Sequence, residues 1–281
     1  MEDNNARQTY LALRFAMLLL ATLLAVSIAA QVVFIDSFCT LRSISAYYHT
    51  SVRGVFVGAL CAIGVCLVVY RGNTDRENVV LDHSGFMAFV VAFVPTEFDR
   101  TCTSAGSPVP GNPGLADAVA NNVGALLVVA LLAALAAWLL PRVRPNRDVP
   151  PSGFAKGALV VTLTLLAAGL VVFFTWRDLF LRYGHATAAI LLFAGIVAVV
   201  WLNALDFAAK RSVSPWRNRY GATAVAMALT VVGSVVLYQL GVPHAVLAVE
   251  ALLIIEFSVF WGMQTVELGT SEVRAATTTT A

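Results

Sequence analysis

Eight separate stretches of this chain are long and apolar enough to cross a lipid bilayer: residues 11–35, 54–70, 79–95, 122–140, 157–175, 185–205, 220–240 and 244–265. A spanning helix needs about 20 mostly apolar residues, because the hydrocarbon core is about 30 Å thick and a helix rises about 1.5 Å per residue. Inside that core no water satisfies stray N–H and C=O groups, so each such stretch folds as a helix. The expected fold is all-α, a polytopic bundle of eight transmembrane helices. One domain covers 1–268, and the small polar tail at 269–281 is expected to be disordered. The loops between the spans are too short for a separate soluble domain.

Composition agrees with this. Hydrophobic residues make up 59% of the chain and charged ones 12%, where a soluble domain carries about 25% charged residues. A net charge of +2 excludes the basic field that nucleic-acid binding requires. There is no P-loop, dinucleotide fingerprint, GxSxG, CxxC or HExxH, so no cofactor is expected.

Proline and loop chemistry mark several span ends, at Pro95, Pro141, Pro150, Pro151, Pro215 and Pro243. The third span is the weakest, since Asp82, His83 and Ser84 interrupt its first turns. If it only dips into the membrane, the count becomes seven. The first span carries a small-residue run, Ser27 to Gln31, that resembles a cleavage site. Its apolar run exceeds the 7–15 residues typical of a signal core, which favours an uncleaved anchor.

Orientation follows from the loop charges. With the N-terminus in the cytoplasm, thirteen Lys and Arg fall on that side and five, Arg42, Arg53, Arg100, Arg177 and Arg182, on the other. The bias arises only if the third span crosses. Both termini are therefore expected to be cytoplasmic, in a multi-pass protein of the plasma membrane. Cys39 and Cys102 then share the outer, oxidising face and are candidates for a disulfide, while Cys61 and Cys66 lie within the second span.

Three groups of residues stand out against this background. The eighth span holds Glu250 and Glu256, roughly 10 and 20 Å down the helix from Pro243. An intramembrane carboxylate is costly and calls for a partner or a water-filled path. Glu256, near mid-membrane, is the leading candidate. Arg14 on the first span, Asn203 on the sixth and Gln239 on the seventh are its possible partners. Asp82 and His83 near the inner face rank next, against the plainer reading of a solvated helix start with Asp as an N-terminal charge.

The second group is a run at the outer interface. Ser43, Ser45, Tyr47, Tyr48, His49 and Arg53 pack hydroxyls, phenols, an imidazole and a guanidinium into eleven residues. They could hold a headgroup phosphate through Arg53, or serve as an aromatic interfacial anchor. The third is a set of small residues every fourth position, Gly54, Gly58, Ala62 and Cys66, suited to tight helix packing within the bundle or to a homo-oligomer.

The run SISAYYHTSVRGVFVGALCAIGVCLVVYRG at 43–72, with FVPT at 93–96 and VFWGMQTVEL at 259–268, resembles a family of uncharacterised, actinobacterial-type multi-span membrane proteins. That resemblance implies a membrane class and no established activity.

His49, His185 and His244 map to the outer side and could hold zinc with a carboxylate, as in membrane-embedded hydrolases. The chain lacks the paired HxxxH of the ceramidase and adiponectin-receptor enzymes, and its three His come from unconnected segments. The sequence thus points first to a small transporter or lipid-handling protein, with membrane lipids and a small-molecule or lipid cargo as partners. The alternatives are a membrane-embedded metal-dependent hydrolase and a non-catalytic scaffold subunit.

Overall fold

The computed structural model describes residues 2–96, 113–139 and 153–279. Among them the chain is helical throughout. The helices are α1 (Glu2–Ala30), α2 (Arg53–Val69), α3 (Asp75–Phe93), α4 (Pro113–Leu139), α5 (Gly153–Thr175), α6 (Arg177–Arg211), α7 (Arg219–Gln239) and α8 (Ala245–Thr279). Every expected span has its helix.

Six of these helices contain a segment long and apolar enough to cross a bilayer: Gln8–Ile35, Asp117–Ala136, Lys156–Thr175, Arg177–Arg211, Arg219–Leu237 and Ala245–Glu267. α2 is apolar but has only 17 residues. α3 opens with Asp75, Arg76 and Glu77 and carries Asp82 one turn later, which lowers its mean apolarity. α8 continues as far as Thr279, into the stretch expected as a tail.

α2 and α3 are the most closely packed pair, and α3 in turn packs on α6. The close approach is made by glycine. A β-carbon on Gly64 would stand 2.8 Å from the Gly85 carbonyl oxygen, and one on Gly85 would stand 2.6 Å from that of Gly64. Of the small residues expected to do this packing, Cys66 is buried in the core, but the two glycines are not part of the contact. Gly54 and Gly58 have nothing within 4 Å of where a β-carbon would be, because rotation of α2 turns them away from the bundle while Gly64, six residues after Gly58, meets α3.

The arrangement is a ring of five helices, α1, α2, α3, α6 and α8, with two additions outside it. The α4–α5 hairpin packs on α3 and α6, and α7 bridges α6 and α8. We call the end of the ring carrying the α1–α2 connection the top and the end carrying the α2–α3 connection the bottom. At the top α1 runs into a π-helical turn, Gln31–Ile35, followed by Ser37 and Phe38 with left-handed backbone at φ +49° and +66°. This reversal sends 39–52 back over the ring, where Ser45–His49 form a 3-10 turn before α2 begins.

Candidate functional site

A cavity of about 80 Å³ lies inside the ring. Ala21 and Leu24 of α1 line it, with Phe56, Leu60, Ile63 and Leu67 of α2 and Val91 of α3. Ala189, Leu192, Phe193 and Ile196 of α6 and Ile254 and Phe257 of α8 complete the apolar wall. The spacings place each set on one face of its own helix. Two alanines, Ala21 and Ala189, stand where larger residues would fill the space.

Only Glu250 and Ser45 interrupt the apolar lining with polar side chains, and both belong to the top. The Ser45 hydroxyl donates to Glu250 Oε1 at 3.0 Å, and the Ile44 N–H donates to Glu250 Oε2. The segment is docked on α8 at two further points. The Leu247 N–H donates to the Arg42 carbonyl at 2.9 Å, and His244 Nε2 lies 3.2 Å from the Thr40 carbonyl. The run and the intramembrane carboxylate, separate features in the sequence, thus meet in one place.

The rest of the 43–53 run folds inward. Ser43 Oγ accepts from the Ala46 N–H at 3.0 Å and starts the 3-10 turn. Tyr47 is fully buried, and its hydroxyl accepts from the Leu41 N–H at 3.3 Å. Tyr48 is also buried, packed edge-on against Phe56, with the Arg53 guanidinium 4.5 Å from its ring centre. These two tyrosines are core residues rather than an exposed aromatic belt, because the turn after α1 lays the run across the bundle.

Glu256 is held elsewhere. It accepts a hydrogen bond from the Thr230 hydroxyl of α7 at 3.0 Å, and its other oxygen is buried without a partner. It lies on the α7–α8 seam, and neither Arg14, Asn203 nor the exposed Gln239 reaches it. Glu250 and Glu256, about 120° apart on an ideal helix, face different neighbours.

Arg14 and Asn203 belong instead to a polar network that closes the bottom. Arg14 donates to the Gln264 carbonyl at 2.6 Å and to the Tyr70 hydroxyl. Tyr70 donates to Gln264 Oε1 at 3.3 Å, and Gln264 Nε2 donates to Asn203 Oδ1 at 2.7 Å. Asn203 Nδ2 donates to Glu77 Oε1 at 2.8 Å, and the Asn73 N–H donates to Glu77 Oε2 at 2.8 Å. Glu77 is only 2% exposed. The chain of bonds ties α1, α2, α3, α6 and α8 together and joins one guanidinium, on Arg14, to one carboxyl group, on Glu77. Above it Tyr70 packs edge-on against the fully buried Trp261.

Tyr70, Asn73, Glu77 and Gln264 are not apparent as a group in the sequence. One local signal was there. Thr74 and Glu77 have capping-box spacing, and the Thr74 hydroxyl does accept from the Glu77 N–H at 3.2 Å. The Glu77 carboxylate then reaches past the cap to Asn203, a long-range pairing that no local spacing encodes.

The three histidines of the zinc alternative stand on separate backbone carbonyls. His49 Nε2 is 2.8 Å from Thr96 O, His185 Nδ1 is 2.6 Å from Val94 O, and His244 bonds Thr40 O as above. Among the described residues no three His, Cys, Asp or Glu converge on a point where a metal could sit. Asp82 is exposed, 4.0 Å from Arg71, and His83 is half-buried beside it. Cys61 and Cys66 are free thiols. The expected bridge from Cys39 to Cys102 lies outside the described residues, because Cys102 does.

No family model, curated protein or solved structure matches the chain. The functional reading therefore rests on the geometry alone.

Proposed function

We propose that this protein is an integral membrane protein that binds a lipid-like molecule in the cavity of its five-helix ring. The observation that carries this reading is the cavity's chemistry: an apolar chamber with one carboxylate and one hydroxyl at its top end. Small-molecule sites have this composition, mostly apolar walls with a few placed polar groups that fix orientation.

In this reading α2 and α3 cross the bilayer as a packed pair, giving eight crossings, with the bottom and both termini on the cytoplasmic side of the plasma membrane. The loop charges of the sequence support that orientation. The bottom network closes the chamber on the cytoplasmic side, and handling of the bound molecule takes place from the top half.

Native mass spectrometry of the protein released from lipid nanodiscs tests the reading. The expected result is one tightly held lipid adduct per chain. Filling the cavity with Leu192→Trp or Ile63→Trp removes it, while Leu229→Trp on the exposed face of α7 keeps it. Adducts that are equally abundant in all four proteins would mean that lipid binds only at the perimeter.

A further inference from the structure

Four of the five walls around the cavity are directly packed helix pairs: α1 on α2, α2 on α3, α3 on α6 and α8 on α1. The fifth wall differs. α6 and α8 barely touch, and α7 stands between them. α7 buries Tyr220, Ala224 and Met227 near the bottom, whereas Val232, Val235, Val236 and Leu240 toward the top are exposed. It therefore seals the lower half of that wall and leaves the upper half thin.

On that wall Leu192, Ile196 and Phe257 are buried, while Ala189 and Phe193 of α6 and Ile254 of α8 are partly exposed. Among the described residues, neither end of the ring offers another way in. The top is covered by the segment bonded to Glu250 and Leu247, and the bottom by Trp261, Tyr70 and the Arg14–Glu77 network.

We propose that a single hydrocarbon chain enters this cavity sideways from the bilayer, between α6 and α8, and lodges a hydrogen-bond-donating head against Glu250 and Ser45. This rests on the lipid reading of the cavity and names its substrate class and route. The volume, about 80 Å³, is roughly half that of the engineered apolar cavity of about 150 Å³ that holds benzene. It admits a short segment of one narrow chain, and two chains side by side do not fit. From Glu250 to Phe257 the chamber runs seven residues along α8, about 10 Å.

The head chemistry follows from the carboxylate. Both Glu250 oxygens act as acceptors, Oε2 for the Ile44 N–H and Oε1 for the Ser45 hydroxyl, and two carboxyl oxygens together offer about four lone-pair positions. The Ile44 N–H, the Ser45 hydroxyl and the Ser45 N–H take three of these positions, which leaves room for one more donor, a hydroxyl or an ammonium. A carboxylate or phosphate head carries no donor and has nothing to offer these acceptor oxygens. The structure thus selects long-chain alcohols, amines and monoacylglycerol-type heads over fatty acids.

The test uses the full chain in nanodiscs with two diazirine-tagged probes of equal length, a long-chain alcohol and the matching fatty acid. Photolabelled residues are mapped by peptide mass spectrometry. The alcohol is expected to label Ile63 and Leu192 about tenfold more than the acid does. Ala189→Trp on the lip is expected to cut that labelling and Phe193→Ala to speed it, so the route is tested from both directions even if one variant folds poorly. Equal labelling by the acid overturns the head-group assignment. Labelling indifferent to both lip variants overturns side entry while leaving the cavity as a lipid site. Wild-type protein without any label in the cavity overturns the inference and the reading beneath it together.

Discussion

Glu250 on α8 takes the Ser45 hydroxyl at 3.0 Å, a contact between groups 205 residues apart that pins the α1–α2 connection over the cavity. The Ile44 N–H completes the pair of bonds. Beside the Leu247–Arg42 and His244–Thr40 contacts, Glu250 is the side chain that holds the cap directly over the cavity, and its removal has consequences for stability and for binding.

Glu250→Ala is expected to lower stability by about 1–3 kcal/mol, since it leaves the Ile44 N–H and the buried Ser45 hydroxyl without their acceptor. Glu250→Gln keeps one carbonyl acceptor and loses less. Thermal unfolding of the two variants in detergent, side by side with wild type, checks the order. Ser45→Ala should fall between them and the parent, because the Ile44 bond survives it.

The bottom network makes a sharper contrast. Asn203→Leu orphans Glu77 Oε1 and Gln264 Nε2 at once, and each buried group left unpaired costs about 1–3 kcal/mol. Thr230→Val breaks a single bond to Glu256 on the α7–α8 seam. Bonds of that kind between membrane helices average well under about 1 kcal/mol. The account predicts a large loss of thermal stability in the first variant and a small one in the second. Equal losses would mean that the bottom network is not a structural closure.

Helix packing gives a third prediction. Gly64→Ala sets a methyl group 2.8 Å from the Gly85 carbonyl, so α2 and α3 must separate, at about 1–3 kcal/mol for an overpacked contact. Gly58→Ala meets nothing within 4 Å and is expected to be tolerated. Size-exclusion profiles and melting temperatures of the two variants distinguish them.

These cases show where the sequence is readable and where it is not. The helices could be placed because bilayer thickness sets their length, and Leu18, Leu19 and Leu20 or Val171, Val172, Phe173 and Phe174 need no partner to declare themselves apolar. Glu250 and Ser45 could each be singled out, because polar groups in or beside a membrane are costly and few. Their meeting could not, since it depends on a left-handed reversal at Ser37 and Phe38 that folds the loop inward. Glu256 failed to find Arg14 or Asn203 for a similar reason: helix rotation and neighbour order decide its partner, and α7 rather than α1 or α6 lies on that face. The glycine at the α2–α3 crossing, Gly64, was passed over for Gly54 and Gly58 because a four-residue repeat on one helix says nothing about which face its neighbour takes.

The bridge expected between Cys39 and Cys102 is a fourth prediction. Intact mass under non-reducing and reducing conditions, after alkylation, should differ by two labelled cysteines. Four alkylated cysteines without reductant would place both thiols in the free state and weaken the assignment of the top to an oxidising side.

The measurement closest to the central claim is an experimental structure in lipid nanodiscs, read for density inside the five-helix ring. The account predicts one elongated density from Glu250 and Ser45 down to Phe257, reached through the gap between Phe193 and Ile254. A ring closed by side chains, with α6 against α8 and no density between them, would contradict it.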